Sequence, residues 1–298
     1  YTTLFRSYIG SSFNAEDFGG SVPKRAFHLK GRIIRVPSNY DPDTRLYTGV
    51  WNGVFKLAYS NNPAWVYYDL ILHERFGLGH ILTANHIDKW ALYEIGRYCD
   101  GVVDDGKGGL EPRFTCNLYL QQRSDALKVL QDIAAVFRGI TYWGAGQAVV
   151  SADMPYDPVY TYTNGNVTGG KFSYRGSRRS TRYSVVLVTW NDPADMFRAK
   201  VEYIQDDELV ARMGVRTVEL TAIGCTSQGQ AQRAGRWALL TNQYETDSVN
   251  FSTGIEGVRA LPGQVVRIAD ANRAGKRIGG RIVGATSNRV TLDRVSPD

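Results

Sequence analysis

Apolar positions in the first sixty residues come in short runs or alternate. Residues 26–29 and 32–36 are β-rich and parted by Lys30-Gly31, and VFKLAY (54–59) alternates as a half-buried strand does. Between them SNYDPDTRLYTG (38–49) gathers Asn, Asp, Pro and Gly and predicts a long loop. The period then changes to that of a helix. Asn62 stands as N-cap with Pro63 at the first helical position, where its missing N–H is harmless. Val66, Tyr67, Leu70 and Ile71 form the apolar stripe, and Gly77 is the expected stop. A second helix is predicted over 88–100 with Ala91, Ile95, Tyr98 and Cys99 on one face. A third begins after Ser124, places Leu127, Leu130, Ile133, Ala134 and Phe137 at helical spacing, and ends at Gly139. Residues 140–143 and 147–152 flank Gly144-Ala145-Gly146 and predict a hairpin.

Beyond the linker DMPYDPVYTY (153–162) the pattern is mostly β. YSVVLVTW (183–190) is followed by candidate strands at 199–204, 216–220, 249–253, 264–269, 278–283 and 290–292. One helix, 226–241, interrupts them. Ser227 with Gln230 reads as a capping box, and Ala231, Ala234, Trp237 and Ala238 supply its buried stripe. Gly235 within the stripe predicts close packing against another backbone. The expected class is α+β: a β-rich segment over 1–60, an inserted helix-rich α/β unit over 61–155, and a β-rich segment over 156–298 carrying the one helix. Short strands with frequent turns favour a barrel or sandwich for the β-rich parts.

Composition narrows this picture. Aromatics make up 12% of 298 residues and charged residues 21%, which excludes a disordered chain. No apolar run is long enough to span a membrane. The chain starts at Tyr1, with neither an initiator Met nor a signal-peptide pattern, which predicts an excised piece of something longer. Cys99, Cys116 and Cys225 are odd in number and widely spaced, so they fit neither a disulfide framework nor a CxxC zinc site and suggest a reducing environment. A net charge of +6 permits an anionic partner without requiring one.

Candidate chemistry is sparse. His28, His73, His80 and His86 show no HExxH and no paired Cys/His spacing, so no metal is expected. DGVVDDGKGGLE lacks three of the oxygen donors that an EF-hand loop needs and reads as a glycine-rich turn with solvated acids. GKGG and GAGQAV miss the phosphate-loop spacings, and GCTSQG is no nucleophile elbow because Ser227 caps a helix. Asp206-Asp207-Glu208 and the Asp192/Asp195 pair read as solvated turns. No cofactor and no catalytic constellation is expected, which favours a structural or binding role. The densest charge is Arg175-Gly176-Ser177-Arg178-Arg179-Ser180-Thr181-Arg182, an exposed basic loop able to track phosphates or an acidic groove.

Longer strings carry a resemblance. KGRIIRVPSNYDPDTRLYTGVWNGVFKLAYSNNPAWVYYDL (30–70), DKWALYEIGRYCD (88–100), GCTSQGQAQRAGRWAL (224–239), DSVNFSTGIEGVRALPGQVVRIAD (247–270), and GGRIVGA with TLDR near the end occur in this order. Together they resemble the tail tip attachment proteins of lambda-like phages, the host specificity J proteins. The strings span nearly the whole chain; residues 160–181 resemble the family least. The resemblance implies the trimeric hub of a long, non-contractile tail tip, with barrel-like domains interrupted by an α/β insertion. It implies no enzymatic activity, and partners among the other tail-tip proteins and the tape measure protein. It also implies proximity to DNA, contact with an outer-membrane receptor through a part outside this stretch, and a place in the virion tail assembled in the host cytoplasm. Within it, Arg178, Arg179 and Arg182 are candidate channel or anion contacts, and Arg233, Arg236 and Trp237 candidate subunit contacts. PGQVVRIAD (262–270) followed by residues 281–285 reads as a barrel hairpin.

A second reading competes: a carbohydrate-active protein, either a glycan-binding module or a cell-wall hydrolase. The aromatic content motivates it, because exposed Trp and Tyr stack on sugars. The six tryptophans mostly occupy predicted core positions, which counts against it.

Overall fold

The computed structural model describes residues 12, 15–18, 28–119, 125–144, 146–177, 181–273, 282–287 and 289–292. Residues 1–32 and 33–298 are separate units, and the described element of the first is the single turn α1 (Ala15–Phe18). The second unit begins with β1 (Ile33–Pro37) paired antiparallel to β2 (Phe55–Tyr59), Ile33 opposite Tyr59. The predicted loop between them is pinched by a bridge from Tyr40 to Tyr47.

α2 (Pro63–Ile71) starts as expected, with Asn62 accepting from Ala64 N at 2.9 Å. It stops at Ile71, well before Gly77, so His73 lies beyond the helix. The chain folds back over the helix end, where Leu78 N donates to Ile71 O at 3.0 Å. A Cβ on Gly77 would lie 1.7 Å from Leu70 O, so this glycine permits a close approach and does not cap the helix. α3 (Lys89–Asp100) is capped by Asp88, which accepts from Trp90 N and Ala91 N at 3.0 Å. The acidic glycine-rich stretch forms a hairpin of β3 (Val102–Asp104) and β4 (Leu110–Pro112), its acids accepting turn N–H groups. α4 (Ala126–Val136) is capped by Asp125; Arg138, in the left-handed region at φ 57°, turns the chain out. Gly139 therefore opens the next strand and does not terminate the helix. That strand, β5 (Gly139–Gly144), pairs with β6 (Gln147–Ala152) in the expected hairpin.

These elements share one core. Val36, Tyr40 and Trp51 bury in the same cluster as Trp65 of α2, Ile95 of α3 and Ile133 of α4. α2 and α3 meet where Gly96 leaves room for Trp65: a Cβ there would sit 2.6 Å from the indole ring.

The remaining strands are β7 (Tyr160–Thr163), β8 (Ser173–Gly176), β9 (Val185–Asp192), β10 (Arg198–Gln205), β11 (Thr217–Thr221), β12 (Asp247–Asn250), β13 (Val266–Ala269), β14 (Ile282–Thr286) and β15 (Arg289–Leu292). β9 is the centre of a three-stranded sheet, antiparallel to β10 and parallel to β11. Its nearly unbroken apolar run suits that central place. α5 (Asp207–Met213) joins β10 to β11, and the acids read as a solvated turn instead start it: Asp206 caps Leu209 N, and Asp207 and Glu208 sit in the first turn, where the helix dipole favours them. α6 (Gln228–Tyr244) covers one face of the sheet, packing Ala231, Ala238 and Leu239 on Val186, Val188 and Ile204. A Cβ on Gly235 would meet Ile204 Cδ1 at 2.7 Å and Val188 Cγ2 at 2.9 Å, so the close packing is against side chains.

β13 pairs with β7, parallel, and β12 with β8. The expected hairpin between 262–270 and 281–285 is thus not formed; β14 pairs with β15. The fold is α+β, with small sheets, and among the described residues none closes into a barrel. No described helix is long and apolar enough to cross a membrane.

Candidate functional site

The predicted contact residues on α6 converge on a junction with the first core. Ser227 accepts from Gln230 N at 3.3 Å and donates to Glu111 Oε2. The capping box is only half made, because the buried Gln230 side chain turns away from the Ser227 backbone to Thr115. Its Oε1 accepts from Thr115 N and Thr115 Oγ1, both at 3.0 Å, and its Nε2 donates to Thr115 O at 3.1 Å. Arg233 reaches the same region, donating through Nη1 to Glu111 Oε1 at 2.6 Å and Asp104 O at 3.1 Å, and through Nη2 to Arg113 O at 3.1 Å. Trp237 donates from Nε1 to Asp153 Oδ2 at 2.8 Å. The Arg138 guanidinium lies 4.8 Å from the Trp237 ring and 5.4 Å from that of Phe114. Burial of this cation pulls its pKa down to about 10.

Arg233 and Trp237 therefore bind inside the chain. Arg236 differs: it is exposed and makes no hydrogen bond or ion pair to the described residues. It lines a groove of ≈ 730 Å³ with Tyr203, Gln205, Asp206 and Leu240. Of the basic loop, Arg178 and Arg179 lie outside the described residues. Arg182 is half-buried, its Nε enclosed with no partner among them.

Other candidates are held locally. Asp192 accepts from Ala194 N and pairs with Lys200, and Asp195 pairs with Arg198. Nδ1 of His73 accepts from Arg75 N and Phe76 N, and Nδ1 of His86 accepts from Thr83 N. Among the described residues no three His, Cys, Asp or Glu side chains cluster as metal ligands. The three cysteines are free and buried, and burial pushes the Cys116 thiol up to about 12 and that of Cys225 to about 11, which leaves both unreactive.

Sequence reasoning missed Asp100. Its carboxylate is buried and accepts from Arg45 Nε at 2.8 Å, Tyr47 OH at 2.7 Å and Asn62 Nδ2 at 2.7 Å. Burial raises its pKa, opposed by the Arg45 charge. A signal was present: an acid in the last turn of a helix opposes the dipole and implies a compensating partner.

Similarity to known proteins places this architecture. Residues 125–284, more than half of the chain, match the family described as "Putative phage tail protein", and the chain belongs to this family of phage tail proteins. More particularly, it is 44% identical over 258 residues to the tip attachment protein J of Escherichia phage SECphi27, covering 87% of this chain and 22% of that protein. It is 40% identical over 284 residues to the tip attachment protein J of Escherichia phage SECphi4, covering 94% of this chain and 25% of that one. The chain spans about a quarter of the length of the curated relatives it matches. The resemblance carried by the long sequence strings is thereby shown, and neither relative is named for a catalytic reaction.

Proposed function

We propose that the chain is a hub section of a long, non-contractile phage tail tip, assembled as a homotrimer on the tail axis. The observation that carries this reading is the similarity of 87–94% of the chain to one stretch of two tip attachment proteins. In this reading 61–155 is the insertion between β-rich hub segments 1–60 and 156–298. The tape measure protein and other tail-tip proteins are its neighbours, DNA passes close by, and the outer-membrane receptor meets another part of the longer protein. Arg178, Arg179 and Arg182 face the channel, and Arg236 faces a neighbouring subunit.

Open strand edges support it. Among the described residues β10 and β11 are the outer strands of their sheet, and the other sheets have two strands each. Such edges pair readily with further strands, and strands from neighbouring copies or from the rest of the longer protein complete the barrels. The sheet face away from α6 leaves Val201 (61%) and Tyr203 (54%) exposed. Electron cryo-microscopy of the intact tail tests the proposal: three copies around the axis, with Arg236 at a subunit boundary, are expected. An off-axis position or another stoichiometry overturns it.

A further inference from the structure

A cleft of ≈ 460 Å³ opens beside the start of α3, bounded by Gly53, the turn at Ala84–His86 and the start of β6. That volume lies within the range of small-molecule sites. Its floor is aromatic: Phe55 and Tyr68 stack with ring centroids 4.3 Å apart, beside Ile87. Trp90, on its wall, is 52% exposed. Trp143, 57% exposed on β5, stacks on His86, which lies between the cleft residues Asn85 and Ile87. Trp51, Trp65 and Trp190 are buried; Trp90 meets Trp51 edge-on, ring centroids 5.0 Å apart, and like Trp143 is still more than half exposed.

The polar groups narrow the ligand. The Asn85 side-chain amide has no hydrogen-bond partner among the described residues. Gln147 donates from Nε2 to Asn85 O at 3.2 Å, and its amide oxygen is likewise unbonded among them. Asp88 already takes Trp90 N and Ala91 N, so the helix start offers those N–H groups to no anion. The Lys89 ammonium donates to Gly53 O at 3.1 Å and lies 5.4 Å from the Trp90 ring centroid. One acid and one base, both engaged, leave the cleft without net charge. Both amides are exposed, so a polar ligand can take the place of their water, whereas an anion would meet no uncommitted cation. A ring with a C–H face for an indole and hydroxyls for amides meets both demands.

We propose that this cleft binds a neutral sugar unit, a hexose or N-acetylhexosamine of a glycan. The inference stands apart from the hub assignment, since it rests on the cleft alone. The test is an array of neutral oligosaccharides of glucose, galactose, mannose and N-acetylglucosamine beside sialylated and sulfated glycans, probed with the whole chain, followed by titration of the best binder using saturation-transfer NMR with a proline-rich peptide as competitor. Saturable binding at about millimolar Kd is expected. Trp90→Ala should weaken it about tenfold or more and Asn85→Ala measurably, whereas Trp90→Phe retains a ring face and most of the affinity. Leu57→Ala, exposed on β2 and outside the cleft lining, should leave it unchanged. Circular dichroism separates lost binding from lost folding, and the phenylalanine variant keeps the test open if the alanine variant misfolds. Absence of saturable binding across the array overturns the proposal, as does undiminished binding by folded Trp90→Ala. Preferential binding of sialylated or sulfated glycans, or of a proline-rich peptide displacing the sugar, also overturns it.

Discussion

Asp100 is the residue on which the 38–49 loop depends. Arg45 holds a left-handed φ of 61°, a conformation that costs a non-glycine residue of order 1 kcal/mol or more and persists only when its surroundings fix it. The bond to Asp100, shared with Tyr47 and Asn62, supplies that fixation. Tyr47 in turn accepts from Trp65 Nε1 at 3.0 Å, so the network reaches the middle of the core. Asp100→Ala strands a guanidinium, a hydroxyl and an amide away from water. It is expected to destabilise the protein by about 3 kcal/mol or more, measured by urea unfolding. A loss below about 1 kcal/mol would mean that water replaces the carboxylate. The caps Asn62 and Ser227 were legible in sequence because their partners lie within three residues. Asp100 was not, since its partners are as many as 55 positions away.

At the scale of elements, α6 shows how a local prediction can be right in kind and wrong in partner. Gly235 marks close packing, yet the surfaces it admits are Ile204 of β10 and Val188 of β9. Gly235→Ala gains helix propensity of about 1 kcal/mol, but its methyl must displace two buried branched side chains at once. Overpacking of this kind costs about 1–3 kcal/mol. The variant is therefore expected to be neutral to less stable in calorimetry despite its better helix residue; a clearly raised Tm would show that Ile204 and Val188 yield freely. The same helix explains why Gln230 abandons its capping box: Thr115 presents an N–H, a hydroxyl and a carbonyl together, more than the Ser227 backbone offers.

For the larger unit as a whole, two hydrophobic clusters are tied by a polar seam of Glu111–Arg233, Gln230–Thr115 and Asp153–Trp237. The seam ion pair is mostly shielded, with side chains 18% and 25% exposed, so its attraction is screened less than that of a surface pair. A double-mutant cycle with Glu111→Gln and Arg233→Met is expected to give a coupling of about 1–3 kcal/mol. Additive single effects would show that the two clusters are held together by the other seam bonds alone. Arg233 and Trp237 are engaged within the chain by the seam, whereas Arg236 on the same helix is exposed.

The sequence by itself determined four helices (α2, α3, α4 and α6), the Asn62 and Ser227 caps, most strands and membership of a tail-protein family; α5 it read as a solvated turn. Hydrophobic period, cap chemistry and long shared strings are local properties, complete within a few neighbouring residues or in the string itself. Tertiary structure alone decided which strands pair, where helices stop, and which polar residues turn inward. β13 lies beside β7 and not against the strand that follows it, α2 ends under the chain that returns over it, and Arg233 and Trp237 close a seam. Those outcomes depend on contacts between residues far apart in the chain, where the free energy of burying a surface or satisfying a buried charge outweighs the preference of any single segment.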